Sequence, residues 1–147
     1  MSSLTERLNP AATLIVRLVV GVIFVAHGSQ KLFGAFGGRG LSAVAEGFTQ
    51  MGFTPGIFWA ALVGGTEFFG GLGLAVGLLT RVAALGLACV MAVAVFKVHW
   101  ANGLFAQSGG FEYPLTLLAV NIALMIRGAG SISLDAFRGT KRQSQHA

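Results

Sequence analysis

The sequence predicts an all-α integral membrane protein: a single domain built as a bundle of four transmembrane helices, with a short amphipathic helix in the first loop. Three observations carry that class. Hydrophobic residues make up 54% of the 147 positions and charged ones only 10%, with a mean hydropathy of +0.77. A soluble domain carries roughly 25% charged residues, because water has to solvate its surface. Four apolar stretches punctuate the chain, at about 12–33, 57–79, 82–101 and 111–127. The basic residues stand at the ends of those stretches, as membrane topology signals do, and build no continuous basic face. The net charge of +5 and a pI near 10.4 therefore do not point to nucleic acid.

The first stretch runs from Ala12 to Phe33 and the second from Ile57 to Leu79. At about 1.5 Å per residue both are long enough for a hydrocarbon core of roughly 30 Å. Arg17 interrupts the first run and no small-residue cleavage pattern follows cleanly, so it reads as a retained helix rather than a signal peptide. In the first loop Leu41, Val44, Ala45, Phe48 and Met51 recur at helical spacing between Gly37, Gly38 and Gly40 on one side and Pro55 and Gly56 on the other. That pattern predicts an amphipathic helix lying on the outer interface. Only Thr80 and Arg81 separate the second stretch from the third, Val82 to Ala101, which makes the two an antiparallel hairpin. The fourth, Tyr113 to Ile126, is short and is completed by its neighbours to about 111–127; residues 136–147 read as a short basic tail.

Orientation follows from the basic residues outside the spans. Arg7, Arg81, Arg127, Arg138, Lys141 and Arg142 lie on one side and Arg39 on the other, six against one. The positive-inside rule then places both termini in the cytoplasm. The 22 glycines lie largely within apolar runs, where they let helix backbones approach; Gly73 with Gly77, and Ala61 with Gly65, have the spacing of helix-pairing motifs. The single cysteine, Cys89, allows no intramolecular disulfide and is expected to fill the core.

Ionisable groups inside a span are costly and usually turn toward the bundle interior with a partner. On the first helix Arg17, Gly21, Phe24, Gly28 and Lys31 share one face, with His27 at its edge. For Arg17, snorkelling to the interface and a buried partner are both open, and one partner within reach is Asn121 on the fourth helix. Glu67 lies near the middle of the second helix. It is either an ion pair tying the first two helices together or a proton-handling or ligand-binding group. His27, Lys31, Lys97, His99 and Glu112 fall at one level in the outer half, just above Glu67, and predict a polar site opening outward. Trp100 and Tyr113 also suit an interfacial aromatic belt.

These residues resemble the DoxX family of small bacterial membrane proteins. The first helix reads RLVVGVIFVAHGSQKLFG from Arg17 to Gly34, and the second reads GGTEFFGGLGLAVGLLTRVAA from Gly64 to Ala84, with Glu67, Gly71, Gly77 and Arg81 in the family's places. The fourth begins GGFEYPLTLLAV, and GAGSISLD follows from Gly128 to Asp135, with Ala129 where relatives more often carry proline. The likeness covers nearly the whole chain up to Asp135. It implies a four-helix fold and a bacterial plasma (inner) membrane address. It also implies kinship with a subunit of a thiosulfate:quinone oxidoreductase, and with membrane partners of superoxide dismutase and a sulfurtransferase.

The leading expectation is a membrane subunit of a quinone-linked or thiol-stress oxidoreductase system. Glu67 would exchange protons with help from His27. Lys31, Lys97, His99, Glu112 and Tyr113 would bind substrate, while Arg17, Arg81 and Asn121 would serve as polar links between helices. The cofactor is left open by the sequence, with a quinone as the candidate and any electron carrier supplied by a soluble redox partner. Haem on His27 and His99 is not favoured, and no metal is expected. Two other classes stay open. One is a non-enzymatic scaffold using the basic residues Arg138, Lys141 and Arg142; the other is a small proton-coupled transporter, which would need to form a homo-oligomer through its glycine faces.

Overall fold

The computed structural model describes the backbone of residues 2–143 and the side chains of residues 10–138, and helices are the regular secondary structure of the described residues. The side chains of Arg7, Lys141 and Arg142, used above as topology signals, lie outside the described residues. Six α-helices follow in order: α1 (Ser2–Phe33), α2 (Gly40–Gln50), α3 (Gly56–Val76), α4 (Thr80–Val93), α5 (Glu112–Arg127) and α6 (Leu134–Gln143). The axis of α4 continues through a π-helical segment, Ala94–His99, and a 3-10 turn, Trp100–Asn102. Three helical segments are long and apolar enough to cross a membrane: Pro10–Phe33, Gly56–Val76 and Thr80–Asn102. The 16-residue α5 is shorter. The segment expected as a tail is helical over Leu134–Gln143.

Lipid tails are as apolar as leucine, so hydrophobicity cannot draw helices together in a bilayer; close backbone approach and polar contacts do that work. α1 and α3 show the first of these. Gly21 on α1 faces Gly71 on α3, Gly28 packs against the Phe68 backbone of α3, and Gly64 on α3 packs against Leu32 and Lys31 of α1. A Cβ on Gly21 would lie 2.7 Å from the Gly71 carbonyl, and one on Gly28 2.8 Å from Phe68 Cα. The glycine spacings singled out in the sequence play other parts. Gly65 has open space around its Cα, Gly73 faces α4 and the turn before it, and Gly77 (φ 71°) ends α3 in a left-handed cap. There the Leu78 N–H reaches back 2.9 Å to the Gly73 carbonyl. Gly21, Gly28, Gly64 and Gly71 are thus used for packing inside the monomer.

Val20, Phe24, Leu74, Ala84, Leu87, Met91, Leu117 and Leu124 form the common core of α1, α3, α4 and α5. Large apolar residues such as Ile15, Val22, Phe69, Val82 and Ile126 are more than 60% exposed, the outward face of a protein surrounded by lipid. Cys89 is exposed on α4, against the expectation that it fills the core. The core side of that helix is taken by Ala84, Leu87, Ala88 and Met91, which leaves position 89 facing outward.

One end of the bundle is closed by a polar latch. Arg17 is 1% exposed, yet it does not snorkel and forms no salt bridge with an acid among the described residues. Its guanidinium donates to the carbonyls of Leu74 (2.9 Å), Ala75 (3.4 Å), Ile132 (3.0 Å) and Ala129. The positive charge therefore sits at the negative end of the α3 dipole and pins the 128–133 loop to it. The expected bond to Asn121 is absent. Asn121 instead donates to the Leu117 carbonyl of its own helix, and the Arg17 guanidinium is taken up by carbonyls at the end of α3 and in the 128–133 loop. Asp135, at the start of α6, caps α4 from outside: its carboxylate accepts the Leu79 and Thr80 N–H groups at 2.8 and 3.0 Å. Burial acts to raise the Asp135 carboxyl, but the Thr80 and Leu79 N–H bonds and the Arg138 charge outweigh it and hold the group below its ordinary value.

Candidate functional site

A cavity of about 430 Å³ lies between α1, α3, α4 and α5, with α2 across it. Its walls are mainly apolar: Phe24, Val63, Val90, Met91, Ala94, Pro114 and Leu117, with Phe48 contributed by α2. Its polar groups are Lys31, Glu67, His27, His99 and Tyr113. The volume falls within the roughly 300–1,000 Å³ of small-molecule sites, which pair an apolar lining with a few placed polar groups.

The ion pair is at the α1–α3 crossing. Lys31 Nζ lies 2.5 Å from Glu67 Oε2, with the Glu67 side chain 3% exposed and that of Lys31 26%. The approach of α1 to α3 through Gly28 and Gly64 brings these side chains within bonding distance. A buried pair recovers its desolvation cost only when geometry is good and remaining lone pairs are used, so it is a poor way to purchase stability alone. Here one carboxylate oxygen has no protein donor among the described residues, and the residue borders the cavity.

His27 stands four residues before Lys31, its ring centroid 6.1 Å from that of Tyr113. His99 enters from the other side. The π-helical segment Ala94–His99 widens the α4 turn, so that Val98 and His99 both reach the lining. Such bulges re-aim side chains at the expense of regular hydrogen bonding. His99 Nδ1 is 2.7 Å from the Gly109 carbonyl, which also accepts from Asn102 Nδ2 at 3.1 Å. A carbonyl only accepts, so Nδ1 carries the proton, and the neutral ring has its acceptor at Nε2. The exposed lining residues Val93, Val98 and Tyr113 place the mouth between the end of α4 and the start of α5.

Not every residue expected here arrives. Lys97 is exposed on the α4 extension and does not line the cavity, since the π-helical turn that admits Val98 and His99 rotates it outward. Glu112 is also outside: its Oε1 accepts the Ala106 N–H, fastening the 103–112 loop to the start of α5. Arg81 lies at the opposite end, on the first turn of α4 beside Gly128. Arg17 and Asn121 are likewise below the cavity. Sequence reasoning missed Phe48, whose place on the apolar face of α2 was visible but whose descent into the cavity was not. α2 is docked onto α3 and α1, so it is more than an interfacial float. The close approach of Gly56 to Ala45 and Thr49 shows how tightly.

Comparison with known proteins agrees with the sequence motifs. The family model for DoxX matches residues 12–100, which hold Lys31, Glu67, His27 and His99. The chain is 28% identical over 125 residues to "Putative oxidoreductase CatD" of Bacillus subtilis, covering 85% of both chains. It is 30% identical over 138 residues to "Inner membrane protein YqjF" of Escherichia coli, covering 92% of this chain and 98% of that one. It is also 30% identical to "Uncharacterized membrane protein Rv3486" of Mycobacterium tuberculosis, covering 86% of this chain and 81% of the relative. No solved structure matches it. By its motifs and by the family match over 12–100, this membrane protein belongs to the DoxX family.

Proposed function

We propose that the protein is the quinone-binding membrane subunit of an oxidoreductase system in the bacterial inner membrane, with both termini cytoplasmic. The carrying observation is the cavity: an apolar chamber with a buried Lys31–Glu67 pair and three further hydrogen-bonding groups, whose mouth lies between two membrane helices. A scaffold has no use for such a chamber. A relative named as an oxidoreductase is consistent with the reading.

In this proposal α5 is the fourth transmembrane helix. Arg127 Nε donates to Thr13 Oγ1 at 2.8 Å, and Tyr113 approaches His27. Helix α5 therefore covers, in reverse, the depth that α1 covers between residues 13 and 27.

The residues present fit a quinone ring. Its carbonyl oxygens need donors, which Lys31 and Tyr113 supply. Its hydroxylated form needs acceptors, which Glu67 and His99 Nε2 supply. A bound quinone would supply the two-electron redox step, with electrons from a soluble flavoprotein or thiol oxidoreductase. The chain's own part is to orient the ring between Phe24 and Met91, exclude water, and hold or release protons at Glu67 and His27. Mouth residues Val93 and Val98 are apolar, which suits entry of a lipid-soluble molecule from the bilayer.

The test is equilibrium binding of a short-chain quinone to the purified protein in nanodiscs. A hydrogen bond to a charged group contributes about 1.5–3 kcal/mol, so Glu67→Gln should weaken binding roughly 10–100-fold. Equal affinity in the wild type and in a well-folded Glu67→Gln variant would remove Glu67 from the site. No binding by either protein would remove the quinone.

A further inference from the structure

A second crevice, of about 390 Å³, opens at the far end of the bundle from the cavity, between the first turn of α4 and the 128–136 segment. We propose that it binds the headgroup of an anionic phospholipid. This is independent of the quinone reading, since no residue is shared between the two sites.

Arg81 and Arg127 both line the crevice and both are exposed at the rim of the helical bundle. Arginines placed only as topology signals would need no common cleft. These two share one, and they are positioned by different devices. Arg127 is oriented by its Nε bond to Thr13, and Arg81 packs beside Gly128, whose positive φ of 84° turns the chain around it. The acid in the crevice, Asp135, has both carboxylate oxygens engaged by the Leu79 and Thr80 N–H groups, and Arg138 lies close enough to act on its charge. With Arg81 and Arg127 against Asp135, the described lining carries a net positive charge, to which a phosphodiester is complementary.

What selects a lipid over a free anion is the apolar surface running away from the arginines. Leu79 and Val82 on the crevice wall are 59% and 67% exposed, and Ile126, next to Arg127, is 70% exposed. Leu85, one turn beyond Val82, and Ile122, one turn from Ile126, continue the two tracks along α4 and α5 at 51% and 41% exposure. A phosphate between the arginines would place acyl chains along these tracks. Basic recesses between membrane helices recognise lipid headgroups in this manner.

Native mass spectrometry of the full-length protein, titrated with phosphatidylglycerol, phosphatidylcholine or inorganic phosphate, tests the assignment. A juxtamembrane arginine contributes about 1 kcal/mol toward an anionic lipid, or about fivefold in affinity. Wild type should hold one phosphatidylglycerol at least about fivefold more tightly than phosphatidylcholine. Arg81→Gln should lose about that factor. Arg39→Gln, an equal change of charge at the opposite end, should lose none. Equal effects of the two substitutions would overturn the site, and equal binding of both lipids by wild type would overturn it without any variant. Inorganic phosphate that bound as tightly as the lipid and displaced it would overturn the lipid assignment and give the crevice to a soluble anion.

Discussion

Replacing Gly71 with alanine tests the packing on which the cavity rests. The added Cβ would stand 2.7 Å from both the Gly21 carbonyl oxygen and the Val25 nitrogen, and 3.0 Å from Phe24 Cβ. Ordinary contact begins near 3.4 Å, so the two helices must part by about 0.7 Å (3.4 less 2.7). Two of the three opposing atoms are backbone, and no rotamer change relieves them. Overpacking of this kind costs about 1–3 kcal/mol. Gly65→Ala is the internal control. It lies on the same helix, its Cβ meets nothing within 4 Å, and removal of a helix-interior glycine is neutral or favourable by up to about 1 kcal/mol. Unfolding followed by circular dichroism across a graded detergent mixture should rank Gly65→Ala at or above wild type and Gly71→Ala below it. Because the same crossing sets the Lys31–Glu67 distance, Gly71→Ala should also weaken ligand binding. Equal stability of the two variants would refute the claim that α1 and α3 meet through glycine backbones.

Three further outcomes follow from the latch. Arg17→Lys, which keeps the charge but loses the planar fork, should destabilise the protein by about 2–4 kcal/mol, since one ammonium cannot serve carbonyls of both α3 and the 128–133 loop; the same unfolding assay reads it. Asp135 has a folded-state affinity for protons below its unfolded one, so its contribution is present above the unfolded value near 3.9 and is lost as pH falls through the lower, folded value. Stability of wild type should thus drop more steeply than that of Asp135→Asn below about pH 4. Leu79 sits in the left-handed region at φ 49°, and Leu79→Gly should raise stability by about 1 kcal/mol, while Leu79→Ala should not.

Much of this was legible in the sequence, and for identifiable reasons. The α1 face of Arg17, Gly21, Phe24, Gly28 and Lys31 is a matter of angle per residue, and in the structure it is the face turned to α3. The edges of the three long apolar helices fell within a few residues because apolar length and flanking glycines mark them. Glu67 was conspicuous because a lone carboxylate in an apolar run needs a cation, and the Lys31 Nζ meets it. What failed depended on local departures from regular geometry. Shared depth groups Lys97 with His99, but His99 lines the cavity from the π-helical segment Ala94–His99 while Lys97 faces outward. The Gly73–Gly77 spacing imitated a helix-pairing motif although Gly77 belongs to a turn. Arg17 could not be read from pair chemistry, since its partners are backbone carbonyls that no side-chain pattern announces.

The most direct test of the central claim, that the cavity beside Lys31–Glu67 is a quinone site, is photolabelling of the membrane-embedded protein with an azidoquinone, followed by peptide mapping. Label concentrated on the lining residues of α3 and α4 around Val63, Met91 and Val98, and displaced by unmodified quinone, is the predicted result. Label spread over outward residues such as Phe69 and Leu85, with no protection by competitor, would contradict it.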